Sequence, residues 1–428
     1  MPHRKITSAL EFRLRFWKEK RLLLGISGGI AACKTPELIR LCREAGATVT
    51  VVVTEAALQF VTRTTLEALS GGPVHGDLFA PGGSMEHIHL GRETELVILA
   101  PATADLLARM AAGIGNDLLT TLLLAHQGPV LAAPAMNCRM WRHPATRRNV
   151  ALLQGDGLHL VGPETGTLAC GEEGEGRMAE PPAILEAGRR LLTPQILAGK
   201  HLLMTVGPTR EALDPVRYLT NHSSGKMGMA IAAAALRAGA RVSLVHGPTA
   251  SSPPSGATAI PVTSAREMAA ATLGLWPDCD AAILTAAVAD YRPATSQAQK
   301  MKKDGSGAAL TLELVENPDI LATLSARRAA PPPPGSTPLP ASPLLVGFAA
   351  ETGSALDHGR EKLRRKGCDL LVVNDVAEAG SGFGEETNRV SLLWRNGREE
   401  HWPLLTKAEV GERLVAQVAA ALATTGAK

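Results

Sequence analysis

Short apolar runs recur along the chain. Each ends in a turn built from Gly, Pro or Ser and is followed by apolar residues at helical spacing. Runs of this kind mark parallel strands buried on both faces and joined by crossover helices. Arg21–Ile26 reads as a strand, Ser27-Gly28-Gly29 as a turn, Ile30–Ala45 as a helix closed by Gly46, and Thr48–Val53 as a second strand. Thr54–Leu69 predicts a helix and residues 71–83 an ordered loop. Val97–Ala100 and Val130–Ala133 predict two more strands, ending in PATAD (101–105) and PAMN (134–137), with a helical pattern between them. Ligands of open α/β sheets bind beyond the carboxyl ends of the strands, so both turns should face one pocket. Residues 151–180 are rich in Gly and Glu. The Gly/Glu run after Cys170 predicts neither packed strand nor stable helix, hence a mobile flap. A helix follows near 182–192, and 193–199 reads as a domain boundary.

The pattern then restarts. His201–Val206 is a strand, residues 207–225 a long loop, Lys226–Ala238 a helix closed by Gly239, and Arg241–His246 a strand. Ala281–Ala287 predicts a buried strand ending in the polar turn Asp290-Tyr291-Arg292. Leu344–Phe348 and Leu370–Val373 read as strands flanking a helix over Ser354–Arg365, and the chain closes on a helix, Lys407–Thr424. Two independent βαβ entries define an α/β protein with two parallel-sheet units. The Pro-rich segment 331–343 reads as a surface insertion.

Composition narrows this picture. A 428-residue chain with 45% hydrophobic residues, 42 Gly and 29 Pro suits globular α/β units with many tight loops. At 3% aromatic and a net charge of +3, it lacks stacking platforms for single-stranded nucleic acid and any strong polyanion field. Cys33, Cys42, Cys138, Cys170, Cys279 and Cys368 are scattered, without a CxxC pair. That predicts no zinc site and no disulfide framework, and a reducing, cytoplasmic setting. Residues 118–138 carry no charge but are broken by Gln127, Gly128, Pro129 and Asn137, so they read as helix, turn and strand instead of a membrane span. Residues 1–20 are basic with no apolar core, which reads as a frayed extension, with an amphipathic targeting helix as the alternative.

Candidate chemistry comes next. The GISGG turn suits a phosphate at a helix N-terminus but is not the G-x-G-x-x-G fingerprint. Glu55 is either a ribose-binding acid or a solvated carboxylate at a strand end. SSGKMG lacks the upstream Gly of a Walker A loop. His87, Asn137 and Cys170 all fall on predicted loops near strand ends. Spacing alone leaves them open between active-site groups and a surface His, a turn Asn and a spectator Cys. Lys300 in KMKK (300–303) is equally a solvated basic loop residue, and Lys362 and Lys366 are surface lysines on one helix face.

Taken together, the motifs decide among these readings. SGGIAACK (27–34), MEHIHL (85–90), PATAD, GNDLL (115–119), PAMNCRMW (134–141) and ACGEEGEGRM (169–178) resemble the flavin-dependent cysteine decarboxylases. GPTREALDPVRYLTNHSSGKMG (207–228), AAVADYRP (286–293), KMKK, NPDI (317–320), VGFAAET (346–352) and NDV (374–376) extend the match. The whole chain after residue 20 is similar to the bacterial bifunctional coenzyme A biosynthesis proteins. These join a phosphopantothenoylcysteine decarboxylase to a phosphopantothenate–cysteine ligase.

The resemblance implies a flavodoxin-like or Rossmann-like flavoprotein domain over 21–198 and a Rossmann-like nucleotide-binding ligase domain over 199–428. In the first, Cys170 is implied as the acid and His87 as an essential residue beside the flavin. Ser27, Gly28, Gly29, Thr54, Phe60, Ala102, Thr103, Ala104, Asp105 and Ala135 would surround FMN, and Met136 and Asn137 would meet the substrate. In the second, Lys300 would stabilise the activation step and Asn221 would orient the amine. Ala286, Asp290, Pro318, Asp319, Ile320, Leu321, Phe348, Lys362 and Lys366 match CTP-binding positions. Mg2+ is expected with CTP, its ligands unknown, and the family implies trimeric decarboxylase and dimeric ligase contacts. The expected partners are small molecules, with neither nucleic acid nor membrane. The alternatives are a flavin decarboxylase with a non-catalytic C-terminal module, and a dinucleotide-dependent oxidoreductase, disfavoured by the missing fingerprint.

Overall fold

In a computed structural model of the protein, the apolar runs assemble into two sheets with parallel centres. The structure describes residues 17, 20–80, 85–169, 171–302, 310–329, 343–351, 354–375, 382 and 384–425. Cys170 and residues 331–342 of the Pro-rich segment therefore lie outside the described residues. Contacts divide the chain into two units, Met1–Pro194 and Gln195–Lys428.

The first unit has β1 (Arg21–Ile26), β2 (Thr48–Val53), β3 (Val74–His75), β4 (Leu96–Ala102), β5 (Val130–Pro134) and β6 (His159–Leu160). They form a six-stranded sheet in the order β3-β2-β1-β4-β5-β6, with parallel pairings throughout. The order reverses between β1 and β4, which is the switch point where doubly wound sheets take ligands. Leu22, Leu24 and Ile26 of β1 enter one core and Leu23 the other, so helices cover both faces. Each such side chain contributes roughly 1.5–3 kcal/mol on burial. Pro101 is tolerated in a central strand because the β4–β5 register shifts between Leu99 and Ala102.

Several local expectations are corrected. The helix predicted from Ile30 opens as a 3-10 turn, Ile30–Lys34, and becomes α-helical only over Thr35–Glu44. Thr54–Leu69 is not one helix: a 3-10 turn over Glu55–Gln59 stops, and Thr62 caps a separate helix, Arg63–Ser70. Short polar side chains compete for main-chain N–H groups and so begin helices better than they continue them. His87 is not on a loop but in the helix Glu86–Glu93, which has Glu86 in its first turn and Arg92 in its last, as the helix dipole favours. The predicted 71–83 loop contains β3. Trp17 is 5% exposed and packs in the core, so the expected fraying of residues 1–20 does not extend to it.

The Gly/Glu run is the largest departure. Residues Glu173–Arg177 form β8, antiparallel to β7 (Glu164–Thr167). Gly174 and Gly176 are buried, and the glutamates between and beside them point outward. A Cβ on Gly176 would lie 2.3 Å from Met136 O, and one on Gly174 would lie 2.8 Å from Cys138 Cβ. The bare main chain of β8 therefore rests directly on the turn after β5, and Met136 N donates to Gly176 O (3.0 Å).

The second unit repeats the plan. It comprises β9 (His201–Val206), β10 (Arg210–Ala212), β11 (Tyr218–Thr220), β12 (Arg241–His246), β13 (Thr258–Pro261), β14 (Ala281–Leu284), β15 (Tyr291–Pro293), β16 (Leu314–Glu316), β17 (Leu344–Glu351) and β18 (Leu370–Asp375). β19 (Thr387–Asn388), β20 (Val390–Trp394), β21 (Glu399–His401) and β22 (Leu405–Thr406) complete it. The eight-stranded sheet runs β13-β12-β9-β14-β17-β18-β20-β21, parallel as far as β18 and antiparallel beyond. The loop expected over 207–225 contains the hairpin β10–β11, and the turn expected at 290–292 runs into β15, which pairs with β16.

Candidate active site

At the carboxyl ends of β1 to β5, the loops of the first unit enclose a cavity of about 1270 Å³. Small-molecule pockets usually occupy about 300–1,000 Å³, so this one has room for a cofactor and a substrate together. Ser27, Gly28 and Gly29 line it from the turn after β1, and Thr54 and Ala56 from that after β2. Thr103, Ala104 and Asp105 line it from the turn after β4, and Ala135, Met136 and Asn137 from that after β5.

The turns are tied to one another. Ser27 is 2% exposed, and its Oγ donates to Pro101 O (2.7 Å) while accepting from Thr103 N (3.2 Å). Its hydroxyl thus joins the β1 and β4 turns across the switch point. Thr103 and Thr54 cap the helical turns that follow them, accepting from Leu106 N and Ala57 N. The N–H groups left over at these turns suit an anionic group.

Other predicted residues stand apart. Ala102 is fully buried in β4, Phe60 is 45% exposed beyond the 3-10 turn, and half-buried His87 is not among the cavity-lining residues. Asn137 is both a helix cap and a carboxylate clasp. Its Oδ1 accepts from Arg139 N (2.8 Å), and its Nδ2 donates to Glu172 Oε2 (2.7 Å). The Asn137 hydrogen bond and then the Arg139 charge hold the Glu172 carboxyl below its ordinary range.

Sequence reading missed the charged wall. Arg109 pairs with Asp117 (2.6 Å) and Asp105 (2.9 Å), Lys34 with Glu180 (2.9 Å), and Arg177 also with Glu180. Burial pushes the Asp117 carboxyl up, but Arg109 and the Thr120 amide outweigh it, so the group sits low. The spacing of Asp117 and Thr120, a capping box in the structure, was the available signal.

Cys33 is exposed and lines the cavity, whereas burial pushes the Cys42 and Cys279 thiols up to about 12 and Cys368 up to about 11. The thiolate is the reactive form, so native protein treated with iodoacetamide at pH 8 should be alkylated at Cys33. At buried Cys42 and Cys279 the reaction should be far slower, as peptide mapping would show.

In the second unit several of the predicted residues lie on the segments around and beyond β14 and β17. Asn221 is exposed just after β11, and its Nδ2 donates to Val288 O (2.9 Å). Half-buried Ala286 lies on the same segment, and exposed Asp290 accepts at its main-chain O from Asn317 N (2.8 Å). Pro318 is exposed, and Asp319 accepts from Ala322 N (3.0 Å) and pairs with Lys366. Ile320 is in the core, which leaves only its main chain for a ligand, while Leu321 and Phe348 are half-buried. Lys362 reaches Glu351 at 3.5 Å. Lys300 is exposed. Among the described residues no three His, Cys, Asp or Glu side chains converge as a metal site, and no helix is long and apolar enough to cross a membrane.

Fold and site together define a flavoprotein-type α/β unit followed by a second α/β unit. Comparison with known families agrees: residues 14–192 match the Flavoprotein family and residues 197–422 the DNA/pantothenate metabolism flavoprotein C-terminal domain. The chain is 47% identical over 401 residues to the coenzyme A biosynthesis bifunctional protein CoaBC of Vibrio vulnificus strain YJ016, covering 93% of this chain and 97% of the relative. For the protein of that name from Escherichia coli K12 the identity is 45% over 403 residues, covering 93% and 96%. For that from Bacillus subtilis strain 168 it is 42% over 413 residues, covering 95% and 98%. The chain belongs to the family of coenzyme A biosynthesis bifunctional proteins.

Proposed function

We propose that the second half, 199–428, ligates cysteine to 4'-phosphopantothenate at the expense of CTP, and that the first half, 21–198, decarboxylates the product with FMN to give 4'-phosphopantetheine. The observation that carries this reading is the cavity at the switch point of a flavoprotein unit, with a carboxylate already seated on the amide of Asn137.

FMN fits that cavity: the Gly28-Gly29 and Thr103–Asp105 turns would take its phosphate, and Thr54 and Ala135 its ring system. When bound, the flavin supplies the oxidation of the cysteinyl CH2–SH to a thioaldehyde and the later return of the hydride, which gives the carboxylate a route out as CO2. Asn137 Nδ2 holds that carboxylate, as it holds Glu172. Cys170 donates the proton to the neighbouring carbon, and Met136 lines the substrate side. His87 and Phe60 stand away from the cavity of their own chain. Around it Ile30, Phe79 and Met140 are 61%, 87% and 49% exposed. Apolar surface of this kind supports trimeric packing in which a second copy brings His87 and Phe60 to the flavin.

In the second half, the substrate carboxylate attacks the α-phosphorus of CTP. Pyrophosphate leaves, and an acyl-cytidylate forms. The cysteine amine then displaces CMP and loses a proton. Lys300 neutralises charge on the phosphates in the first step, and Asn221 orients the amine in the second. Mg2+ would be carried mainly by the nucleotide phosphates, which is common for this ion. Dimeric contacts between ligase halves and a cytoplasmic location complete the reading.

The test is direct. Purified protein should be yellow with a flavin spectrum and should release pyrophosphate only with CTP and 4'-phosphopantothenate present. A colourless protein, or no nucleotide-dependent pyrophosphate, rules the reading out. Asn221→Asp should slow amide formation by about 10²-fold while acyl-cytidylate accumulates to detection by mass spectrometry. An Asn221→Asp variant that forms amide normally removes Asn221 from the second step.

A further inference from the structure

One carboxylate at the cavity belongs to the chain itself, and the reaction above gives it no role. Thr167, Leu168 and Ala169, at the tip of the β7–β8 hairpin, line the cavity, as Asn137 does. Leu168 N donates to Glu172 O (2.8 Å) and Gly171 N to Leu168 O (2.9 Å), which makes the tip a tight turn. Glu172 is half-buried, whereas Gly171 and Glu173 on either side are exposed. Its Oε2 accepts from Asn137 Nδ2 (2.7 Å) and from Cys138 Sγ (3.6 Å), and its Oε1 pairs with Arg139 (2.9 Å). One carboxylate therefore fastens the hairpin tip to three consecutive residues after β5.

Asn137 is the group given above to the substrate carboxylate, so Glu172 stands where that carboxylate would bind. Asn137 Nδ2 has a second hydrogen, but two carboxylates on one amide would meet as like charges, and one must leave. Held below its ordinary range by Asn137 and then Arg139, Glu172 is an anion at neutral pH and a true rival for the amide. A free carboxylate, such as that of cysteine or bicarbonate, has to displace it without any other anchor. The carboxylate of 4'-phosphopantothenoylcysteine arrives on a ligand held elsewhere in the cavity, and so at a high effective concentration.

We propose that Glu172 is an internal competitor for the carboxylate subsite: it occupies the Asn137 amide until the carboxylate of an anchored substrate displaces it, and it takes the amide back when CO2 has left. This rests on the role given above to Asn137. Substrate and product of this half differ by that carboxylate alone, so only the substrate can evict Glu172. The amide is then paired at every stage, and a polar group left unpaired at an enclosed site is more costly than the bond it loses. The penalty falls on substrate affinity, since the form with a vacant amide is a minor one. In return, unanchored carboxylates are kept out.

The test is equilibrium titration of the flavin-loaded full chain, followed by flavin absorbance. 4'-Phosphopantothenoylserine keeps the carboxylate but has no thiol to oxidise, and 4'-phosphopantetheine is the carboxylate-free ligand. Glu172→Ala should bind the serine analogue about tenfold more tightly, the gain when the competent form rises from roughly a tenth of the population to all of it. Its affinity for 4'-phosphopantetheine should change less than about twofold, because that ligand evicts nothing. Glu172→Gln, which keeps the shape but loses the charge, should show the same bias at about threefold, and it stands in if the alanine variant does not retain flavin. Adding Asn137→Ala to Glu172→Ala should weaken the analogue about tenfold or more, the worth of a hydrogen bond to a charged group. No loss in that double variant overturns the role of Asn137 itself. A loss there, with analogue binding in Glu172→Ala no tighter than in the wild type, overturns the competition and leaves Asn137 in place. An equal gain for both ligands overturns it too, since Glu172 would then merely obstruct the cavity.

Discussion

Lys300→Gln should lower the rate of acyl-cytidylate formation by about 10²–10³-fold, the usual effect of removing one preorganised group that stabilises transition-state charge. Glutamine retains the reach of a polar side chain but not the charge that offsets the phosphates as pyrophosphate leaves. The side chain is exposed, and no hydrogen bond to another of the described residues fixes its tip, so the substitution should leave the fold unchanged. Rapid-quench measurement of pyrophosphate without cysteine isolates the step. An undiminished burst would assign the phosphate charge to other groups, with Lys362 and Lys366 next in line. Both of those are already held by carboxylates, Glu351 and Asp319. Decarboxylation should be unaffected.

Gly28→Val should do the converse. A Cβ at Gly28 would stand 2.4 Å from Ala56 Cβ and 3.0 Å from its carbonyl carbon. The obstacle is the Ala56 methyl and the main chain behind it, neither of which can rotate aside, so the β1 and β2 turns must separate. Overpacking of this kind costs about 1–3 kcal/mol, and here it opens the floor of the cavity. The purified variant should lose most of its bound flavin and its decarboxylase activity while pyrophosphate release continues. Gly72→Ala is the matched control, since a Cβ there meets nothing within 4 Å. Full flavin occupancy in Gly28→Val would mean that the cofactor does not need the close approach of these turns.

The sheet scaffold was legible in the sequence because its signal is local. Arg21–Ile26, Thr48–Val53, His201–Val206 and Arg241–His246 are short runs dominated by apolar residues, and the structure starts and stops them where their flanking turns do. A parallel sheet then dictates that the turns after β1, β4 and β5 share one edge, so the cavity followed from topology. Elements whose stability is not local were missed. The β7–β8 and β10–β11 hairpins lack an apolar alternation, and main-chain contact and ion pairing with distant residues support them. The Arg109–Asp117 and Lys34–Glu180 pairs were hidden for a related reason: no spacing rule relates residues that meet only after folding. Thr62 was overlooked because the Thr54–Leu69 window was read by helical period alone, without regard to the cap in its middle.

The bare inner face of β8 has a consequence for register. In an ordinary half-buried strand the hydrophobic pattern sets the register, and a slip by one residue exposes apolar side chains at a graded cost. In β8 a slip would drive Glu175 into the space beside Met136 O, where even a methyl carbon would stand at 2.3 Å. The alignment of this hairpin is therefore held by exclusion instead of attraction. Its glutamates are free to vary in size and charge, and its glycines are not.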